Sequence, residues 1–531
     1  MQNKRLIALL LIVTLAWPLP STAQALGVLP AAPMLGGMSH RLDMHLLPNL
    51  GDGSGGSLSP QAERKLGERV MREVRRDPDY LDDWLIRDYL NSVASRLAAS
   101  AQDRYIGGYM PDFDLFAVRD PQINAFSMPG GFIGMNTALI VATRTESELA
   151  SVVGHEMGHV LQRHIARMIT VSERNSYAAI AGMLFGLLAG VLAHSADLGS
   201  AVAIGGQAFA VDNQLRFSRT AEREADRVGF MMLEGAGFDP YGMPSFFERM
   251  ERGTVADAGV PAYARTHPLT VERIADMVDR ARHATYRQPR QSPEYVFVQV
   301  RARVLQHKSA SDLADIEQRL RAEIDDQTAS NVAANWYGIA LAQMLQGHYA
   351  AAQACLRRAR VAANFTGQVR DATESARVPS TVSLDVLESA IARCAGRLDD
   401  ALRDAQVARR RYPTSHAAID AQLQAMIAAR RYADARVLAR AQAAEEPQRS
   451  EWWRYLAQAS GALGDTVQQH RAQAESLALD GAWSSAIRQL REARDARVAS
   501  YYDMSAIAAR LHEFGERYQE ERDDKKTRIV Q

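Results

Sequence analysis

The stretch that most constrains this chain is His155-Glu156-Met157-Gly158-His159. Residues four apart on an α-helix stand on one face, one turn above the other, so His155 and His159 can grip one metal ion. Glu156 is rotated about 100° from His155 around the helix axis. It lies close to such an ion without ligating it, where a carboxylate can take a proton from metal-bound water. The pattern therefore demands a helix, and the spacing predicts one from Thr145 to about Arg167. Thr145 and Glu148 fit a capping box. Leu149, Val152, Val153, Met157, Val160 and Leu161 recur at helical spacing as an apolar stripe.

A hydrolytic zinc site wants three protein ligands and one open position. His155 and His159 supply two, and the third must be a His, Glu or Asp further along. The best candidate segment is Glu222-Arg223-Glu224-Ala225-Asp226. Glu222 and Asp226, four apart, share a helix face, so Glu222 can ligate while Asp226 supports the site. Asp226 would hydrogen-bond the free ring nitrogen of a ligand histidine or serve as a proton donor. On the residues alone, Glu222 and Glu224 remain near-even alternatives. Zinc would acidify its bound water and polarise the scissile carbonyl, with Glu156 as general base, so the reaction class is amide hydrolysis. A closed structural site usually has four ligands and uses cysteine. The two cysteines, Cys355 and Cys394, are far from the motif in sequence and read equally as a disulfide or two buried thiols. Among the other histidines, His267 stands out, because Thr266-His267-Pro268 is a loop that could reach the metal. His164 reads as a solvated or packed residue near the end of the zinc helix, and His416 as a surface or packing position.

The 531 residues hold 62 basic and 62 acidic side chains. That balance argues against a nucleic-acid binder and against general attraction to an anionic membrane. Lys4 and Arg5, the apolar run Leu6 to Trp17, and Ala23-Gln24-Ala25 read as a signal peptide cut after about Ala25, which implies export. Residues 26–59, rich in Gly, Pro and Ser, read as an irregular lead-in. Residues 60–290 form the metallopeptidase domain in this reading. Within it, Asp114 to Val118 looks like a strand. Ile123 to Met135, two apolar runs around Pro129-Gly130-Gly131, looks like a strand-turn-strand unit that is either an ordinary hairpin or an edge for an extended substrate. Tyr177 to Ala193 carries no charge, and Gly- and Ala-rich sequence continues to Ala210. It reads as a buried helical hairpin over the site, a membrane-touching segment or a span.

From residue 291 to 531 the chain is nearly all helical and shows tetratricopeptide-type spacing. Trp336, Ile339, Gly347, Tyr349, Ala352, Leu356 and Ala359 fit one repeat, and Gly396, Leu398, Ala401, Ala408 and Pro413 a second. Tyr432, Ala435 and Pro447 fit a third, and Pro413 to Pro447 is one 34-residue period. Trp453, Leu456 and Gly464 begin a fourth, after which Gly481 and Trp483 follow too soon for a full period. Such a solenoid offers a concave surface to partners. The expected fold is therefore mainly α: a zinc metallopeptidase domain of helices with a small β-sheet, then an α-solenoid of helix pairs.

These residues resemble the zinc metallopeptidase family that includes the CAAX prenyl proteases. The resemblance rests on His155 to His159 with Glu222 to Asp226 downstream. It is extended by Ile123-Asn124-Ala125-Phe126, Thr145 to Ala150, Gln162-Arg163-His164, Glu222 to Gly229, Gly237-Phe238-Asp239-Pro240 and Thr266 to Leu269. It implies one zinc per chain held by His155, His159 and Glu222, with Glu156 as catalytic base and Asp226 as supporting acid or proton donor. It implies His267 as a further zinc contact that blocks the open position and keeps the peptidase latent. The 177–210 region would be a lid, with peripheral membrane contact as the other reading. The chain is most similar to exported members with a repeat domain. That implies a monomer in the periplasm, or peripheral at the outer membrane. It would assist or degrade outer-membrane β-barrel proteins and dock through its repeats to the barrel assembly machinery. The alternative function is a chaperone or adaptor whose peptidase is mostly latent.

Overall fold

The computed structural model describes residues 58–102, 110–171, 218–255, 261–285, 291–365, 381–496 and 500–529. The expected signal peptide, most of the lead-in and the 177–210 segment lie outside the described residues. The architecture is mainly helical, with one small sheet near the start.

Helix α1 (Pro60–Val74) begins where the Ser59 side chain accepts a hydrogen bond from Ala62 N, with Pro60 in the first helical position. Strand β1 (Tyr80–Leu81) and helix α2 (Trp84–Gln102) follow, then β2 (Asp114–Val118), β3 (Ala125–Ser127) and β4 (Phe132–Asn136). The sheet order is β1-β2-β4-β3. β2 and β4 run parallel, and the other pairs are antiparallel. The apolar runs around Pro129-Gly130-Gly131 thus form a hairpin, with Gly130 and Gly131 at positive φ in its turn. β3 is one edge of the sheet and packs against the helix carrying the two histidines.

After α3 (Thr137–Ala142), helix α4 (Glu146–Leu161) is the centre of the domain, and all of its residues are buried. Its start is the expected one. The Thr145 hydroxyl accepts from Glu148 N at 3.2 Å, while the Glu148 carboxylate reaches one residue further back than a capping box requires and accepts from Arg144 N at 2.6 Å. Its apolar stripe packs with α2, Val228, Met232 and Leu233 in one core. Its end differs from the expectation. The helix stops at Leu161, a turn at Gln162-Arg163 intervenes, and α5 (His164–Val171) starts in a new direction. Helices α6 (Arg219–Gly235), α7 (Gly242–Val255), α8 (Ala262–Thr266) and α9 (Val271–His283) complete this part. α4 and α6 touch backbone to backbone. A Cβ on Gly158 would sit 2.7 Å from Ala225 O, and one on Gly229 2.9 Å from Gly154 C. Only hydrogen at these positions lets the two site-bearing helices approach so closely.

Helix α10 (Pro293–Leu305) belongs to two cores. Tyr295, Val298 and Ala302 face the α4 core, while Phe297, Val300 and Val304 face the helices that follow. Those are α11 (Ala310–Asp325), α12 (Val332–Leu345), α13 (Tyr349–Phe365), α14 (Val382–Cys394), α15 (Leu398–Arg411), α16 (His416–Ala428), α17 (Tyr432–Glu445), α18 (Ser450–Ala462), α19 (Thr466–Leu479), α20 (Trp483–Asp495) and α21 (Tyr501–Ile529). The repeat shows in the turns. Gly347, Gly396, Arg430, Gly464 and Gly481 all have positive φ, and each is followed by a residue whose N–H bonds a carbonyl five positions back. That is the Schellman ending of a helix. Gly396, Arg430 and Gly464 stand 34 residues apart. Gly481 comes early because it closes the next turn, between α19 and α20. Cys355 and Cys394 are both free thiols.

The repeat helices lie against α2. The Trp84 and Trp452 rings stack 5.3 Å apart, and His416 bonds Asp88. Arg301 forks onto Asp83, with its shortest contact at 2.6 Å.

Candidate metal centre

His155 and His159 point from one face of α4, as their spacing requires, with their Nε2 atoms 3.0 Å apart. Helix α6 brings Glu222. Its Oε1 is 3.5 Å from His159 Nε2, and its Oε2 is 3.5 Å from His155 Nε2. The short helix α8 delivers His267. Tyr263 N in α8 donates to Ile123 O beside β3, and His267 N donates back to Tyr263 O, which fixes the loop over α4. His267 Nδ1 lies 3.3 Å from His155 Nε2 and 3.1 Å from Glu222 Oε1. The four residues are buried, and one donor atom from each falls within 4.8 Å of all the others.

Donor set and spacing together fit a metal ion. Four ligands at zinc-type bond lengths of about 2.0–2.1 Å in a tetrahedron stand about 3.3 Å from one another. Five of the contacts among these donors run from 3.0 to 3.5 Å, and all four donors lie within 4.8 Å of one another. Three imidazoles and a carboxylate are also the ligand types that zinc accepts.

Glu156 lies beside this group rather than in it. Both of its carboxylate oxygens are buried without a hydrogen-bond partner in the structure. His267 Nε2 lies 3.4 Å from Oε1. A buried carboxylate without partners is costly, and such groups concentrate where chemistry is done.

Asp226, one turn after Glu222, lies with Oδ1 3.0 Å from His155 Nδ1. A proton held at Nδ1 leaves His155 Nε2 with a free lone pair facing the centre. Glu224 falls on another face. Its Oε2 accepts from Arg167 at 2.5 Å and lies 3.0 Å from His164 Nε2. The even choice between Glu222 and Glu224 therefore resolves geometrically to Glu222 within the cluster.

The charges shape the titration of these groups. Burial opposes a charge on His155, but hydrogen bonding to Asp226 and Glu222 outweighs it and holds the imidazole up at about 9. For His159 burial wins, and its imidazole is pushed well below the ordinary value. Burial works against ionised Glu222, yet His267 and His155 hold its carboxyl well below the usual range.

Two residues of the site gave no usable signal in the sequence. Arg273, in α9, is buried and forks onto Asp226 with Nε and Nη2 at 2.7 and 2.8 Å. Its Nη1 lies 2.8 Å from Glu222 Oε2. No spacing rule links an arginine 47 positions away to Asp226. His164 takes the packed alternative of its reading: it is buried, with Nδ1 2.8 Å from His159 Nδ1. The helix break after Leu161 places it there, and a continuous helix would not.

A helix-borne histidine pair, a buried glutamate beside it and a carboxylate from a second helix are the parts that a metal-dependent hydrolase site requires. Residues 87–281 match Peptidase family M48. The chain is 34% identical over 282 residues to the "Putative beta-barrel assembly-enhancing protease" of Vibrio cholerae, covering 53% of this chain and 56% of that protein. It is 29% identical over 313 residues to the "Beta-barrel assembly-enhancing protease" of Escherichia coli K12, covering 59% and 62%. Over 227 residues it is 29% identical to the "Mitochondrial metalloendopeptidase OMA1" of Arabidopsis thaliana, covering 42% of each. The chain thus spans less than two thirds of the length of these relatives. Among the described residues, no helix is long and apolar enough to cross a membrane.

Proposed function

We propose that this chain is a zinc endopeptidase whose ligands are His155, His159 and Glu222, with Glu156 as general base. The observation that carries the reading is the buried cluster of four metal-type donors beside a glutamate with two unpartnered oxygens. Zinc, when bound, supplies Lewis-acid polarisation of a carbonyl and lowers the pKa of water toward neutrality. Glu156 takes the water proton as the water oxygen attacks the carbonyl carbon. It then passes that proton to the departing amine as the C–N bond breaks. Asp226 orients His155. Arg273 already engages both Asp226 oxygens, which favours orientation over proton donation. The edge strand β3, packed on α4, would pair with an extended substrate backbone.

His267 is a fourth contact that keeps the centre latent at rest. Its place in the cluster supports that role and favours, as a second reading, a chaperone or adaptor with a mostly silent peptidase. An exported location follows from the signal-peptide reading of residues 1–25, the names of the relatives carry a role in β-barrel assembly to this chain, and β-barrel proteins as substrates with docking to the assembly machinery through the repeats extend that role. The paired helices are the surface suited to such docking.

Glu156→Gln tests the reading. Cleavage of unfolded β-casein should fall by about 10²–10⁴-fold, with about one zinc still bound per chain. Equal cleavage by wild type and variant would sink it. Partner binding retained without any cleavage in either protein would favour the adaptor.

A further inference from the structure

The histidine dismissed from sequence lies nearest to a metal ligand. We propose that His164 is a positioning residue for His159, fixing its ring and tautomer through a relay that starts at Glu224. The proposal rests on the zinc reading above and deepens it.

The relay follows from donor and acceptor counting. A histidine that ligates through Nε2 must carry its proton on Nδ1. The His159 Nε2 atom faces the cluster, and its Nδ1 faces His164 Nδ1 at 2.8 Å. His159 therefore donates and His164 accepts. A neutral His164 that accepts at Nδ1 holds its own proton on Nε2, which lies 3.0 Å from Glu224 Oε2. A carboxylate only accepts. One group, Glu224, thereby sets the tautomer of both rings in series. His155 Nδ1 faces Asp226 Oδ1 directly, at an ion-pair distance of 3.0 Å rather than in an aligned hydrogen bond. The two ligand histidines thus each end on a carboxylate, one of them through an intervening imidazole.

The backbone is bent to make this contact. Five residues along a continuous helix is a rotation of about 500°, or 140° net, which would turn His164 away from His159. Instead Arg163 takes a left-handed conformation, φ 51°, uncommon for a residue with a side chain. Arg163 is tied to the first helix. Its Nε donates to Glu63 Oε2 at 3.1 Å and its Nη2 to Leu58 O at 2.6 Å. A glycine would turn as readily but could not be anchored. Held in this way, the turn returns the His164 ring to His159.

The test compares two substitutions that keep different halves of the imidazole. His164→Asn retains an acceptor near the Nδ1 position, whereas His164→Gln retains a polar group near Nε2 and loses the one facing His159. Zinc affinity of the full chain is measured by competition with a chromophoric chelator. The electronic spectrum of the Co²⁺-substituted protein reports ligand geometry. Apo-protein melting reports folding. Wild type and His164→Asn should bind alike, and His164→Gln should bind about 10- to 100-fold more weakly with a changed cobalt spectrum, as loss of an outer-shell partner does. Glu224→Ala, at the surface end of the relay, should weaken zinc in the same direction with little change in apo melting. Equal zinc affinity across all four proteins, or equal weakening in the Asn and Gln variants, overturns the relay and leaves the zinc reading standing. Failure of the wild type to bind zinc overturns both.

Discussion

The Nε2 atom of His267 lies 3.4 Å from Oε1 of Glu156, the carboxylate proposed above as general base. The same ring puts Nδ1 3.1 Å from Glu222 Oε1. One side chain thus crowds both the base and the metal cluster. Removing it should free them. His267→Ala is expected to raise cleavage of unfolded β-casein about tenfold, the effect of releasing a closed state favoured by about 1.4 kcal/mol. The comparison is made at equal zinc content, with self-cleavage followed on a gel. Unchanged turnover at equal zinc would show that the ring is not a latch.

Arg273 holds the acidic side of the site together. It reaches Asp226 at 2.7 and 2.8 Å and Glu222 at 2.8 Å, all buried. Removing one member of a buried charged group strands the others and costs about 3–5 kcal/mol. In chelator-treated protein, Arg273→Met should lower the urea midpoint accordingly. Arg273→Lys should recover only part of the loss, because an ammonium cannot fork onto a carboxylate. A change below about 1 kcal/mol in Arg273→Met would mean that the carboxylates are neutralised by other groups.

The site was legible where chemistry is periodic along the chain. His155, Glu156 and His159 follow from one helical turn, and Asp226 from the turn after Glu222. The repeats were legible for the same reason, since Gly396 and Gly464 mark turns at a fixed period. Arg430 takes the place of glycine at that period, and only the structure shows its backbone doing the same job. Contacts made across the fold were not legible. Arg273 meets Asp226 because α9 happens to pack on α6. The contact of His164 with His159 depends on the left-handed backbone of Arg163, a conformation that the arginine side chain does not announce. The inter-helix approach at Gly158 was likewise hidden, because glycine inside a helix motif reads as tolerated rather than required.

Gly158 gives a steric prediction. A methyl there would stand 2.7 Å from Ala225 O and 2.9 Å from Ala225 Cα, both backbone atoms that cannot rotate away. Gly158→Ala must push α6 from α4 and carry Glu222 with it. Stability should fall by about 1–3 kcal/mol, the usual cost of overpacking, despite the better helix propensity of alanine. Zinc affinity should fall as well, since the ligands sit on the two separating helices. Gly347→Ala is the contrast. No atom lies within 4 Å of that added methyl, so only its positive φ opposes the change, and zinc affinity should be untouched. Equal zinc loss in both variants would remove the steric argument.

His416 tests how the repeats are held to the peptidase domain. Its Nδ1 lies 2.6 Å from Asp88 Oδ1 in α2 and its Nε2 3.1 Å from Glu446 Oε2, with the ring stacked 4.8 Å from Trp84. Burial disfavours charge there, but Asp88 and Glu446 outweigh it and hold the imidazole up at about 9, against 6.5 ordinarily. Glu446 is held down at about 2 against 4.5, where bonds from His416 and the Trp452 indole overcome its burial, and Arg449 adds to the effect. The signs then fix a window. The raised histidine contributes stability that is complete below pH 6.5 and lost as pH rises through about 9. The lowered carboxyl contributes stability that is complete above pH 4.5 and lost as pH falls through about 2. His416→Gln should therefore be most destabilising between pH 4.5 and 6.5, and its deficit should shrink through pH 9 as the wild type loses the same charge. Urea unfolding followed by tryptophan fluorescence reads this directly, because Trp84 and Trp452 flank the ring. A deficit independent of pH would mean that His416 acts through stacking alone, and that no charge holds the repeats to α2 at this point.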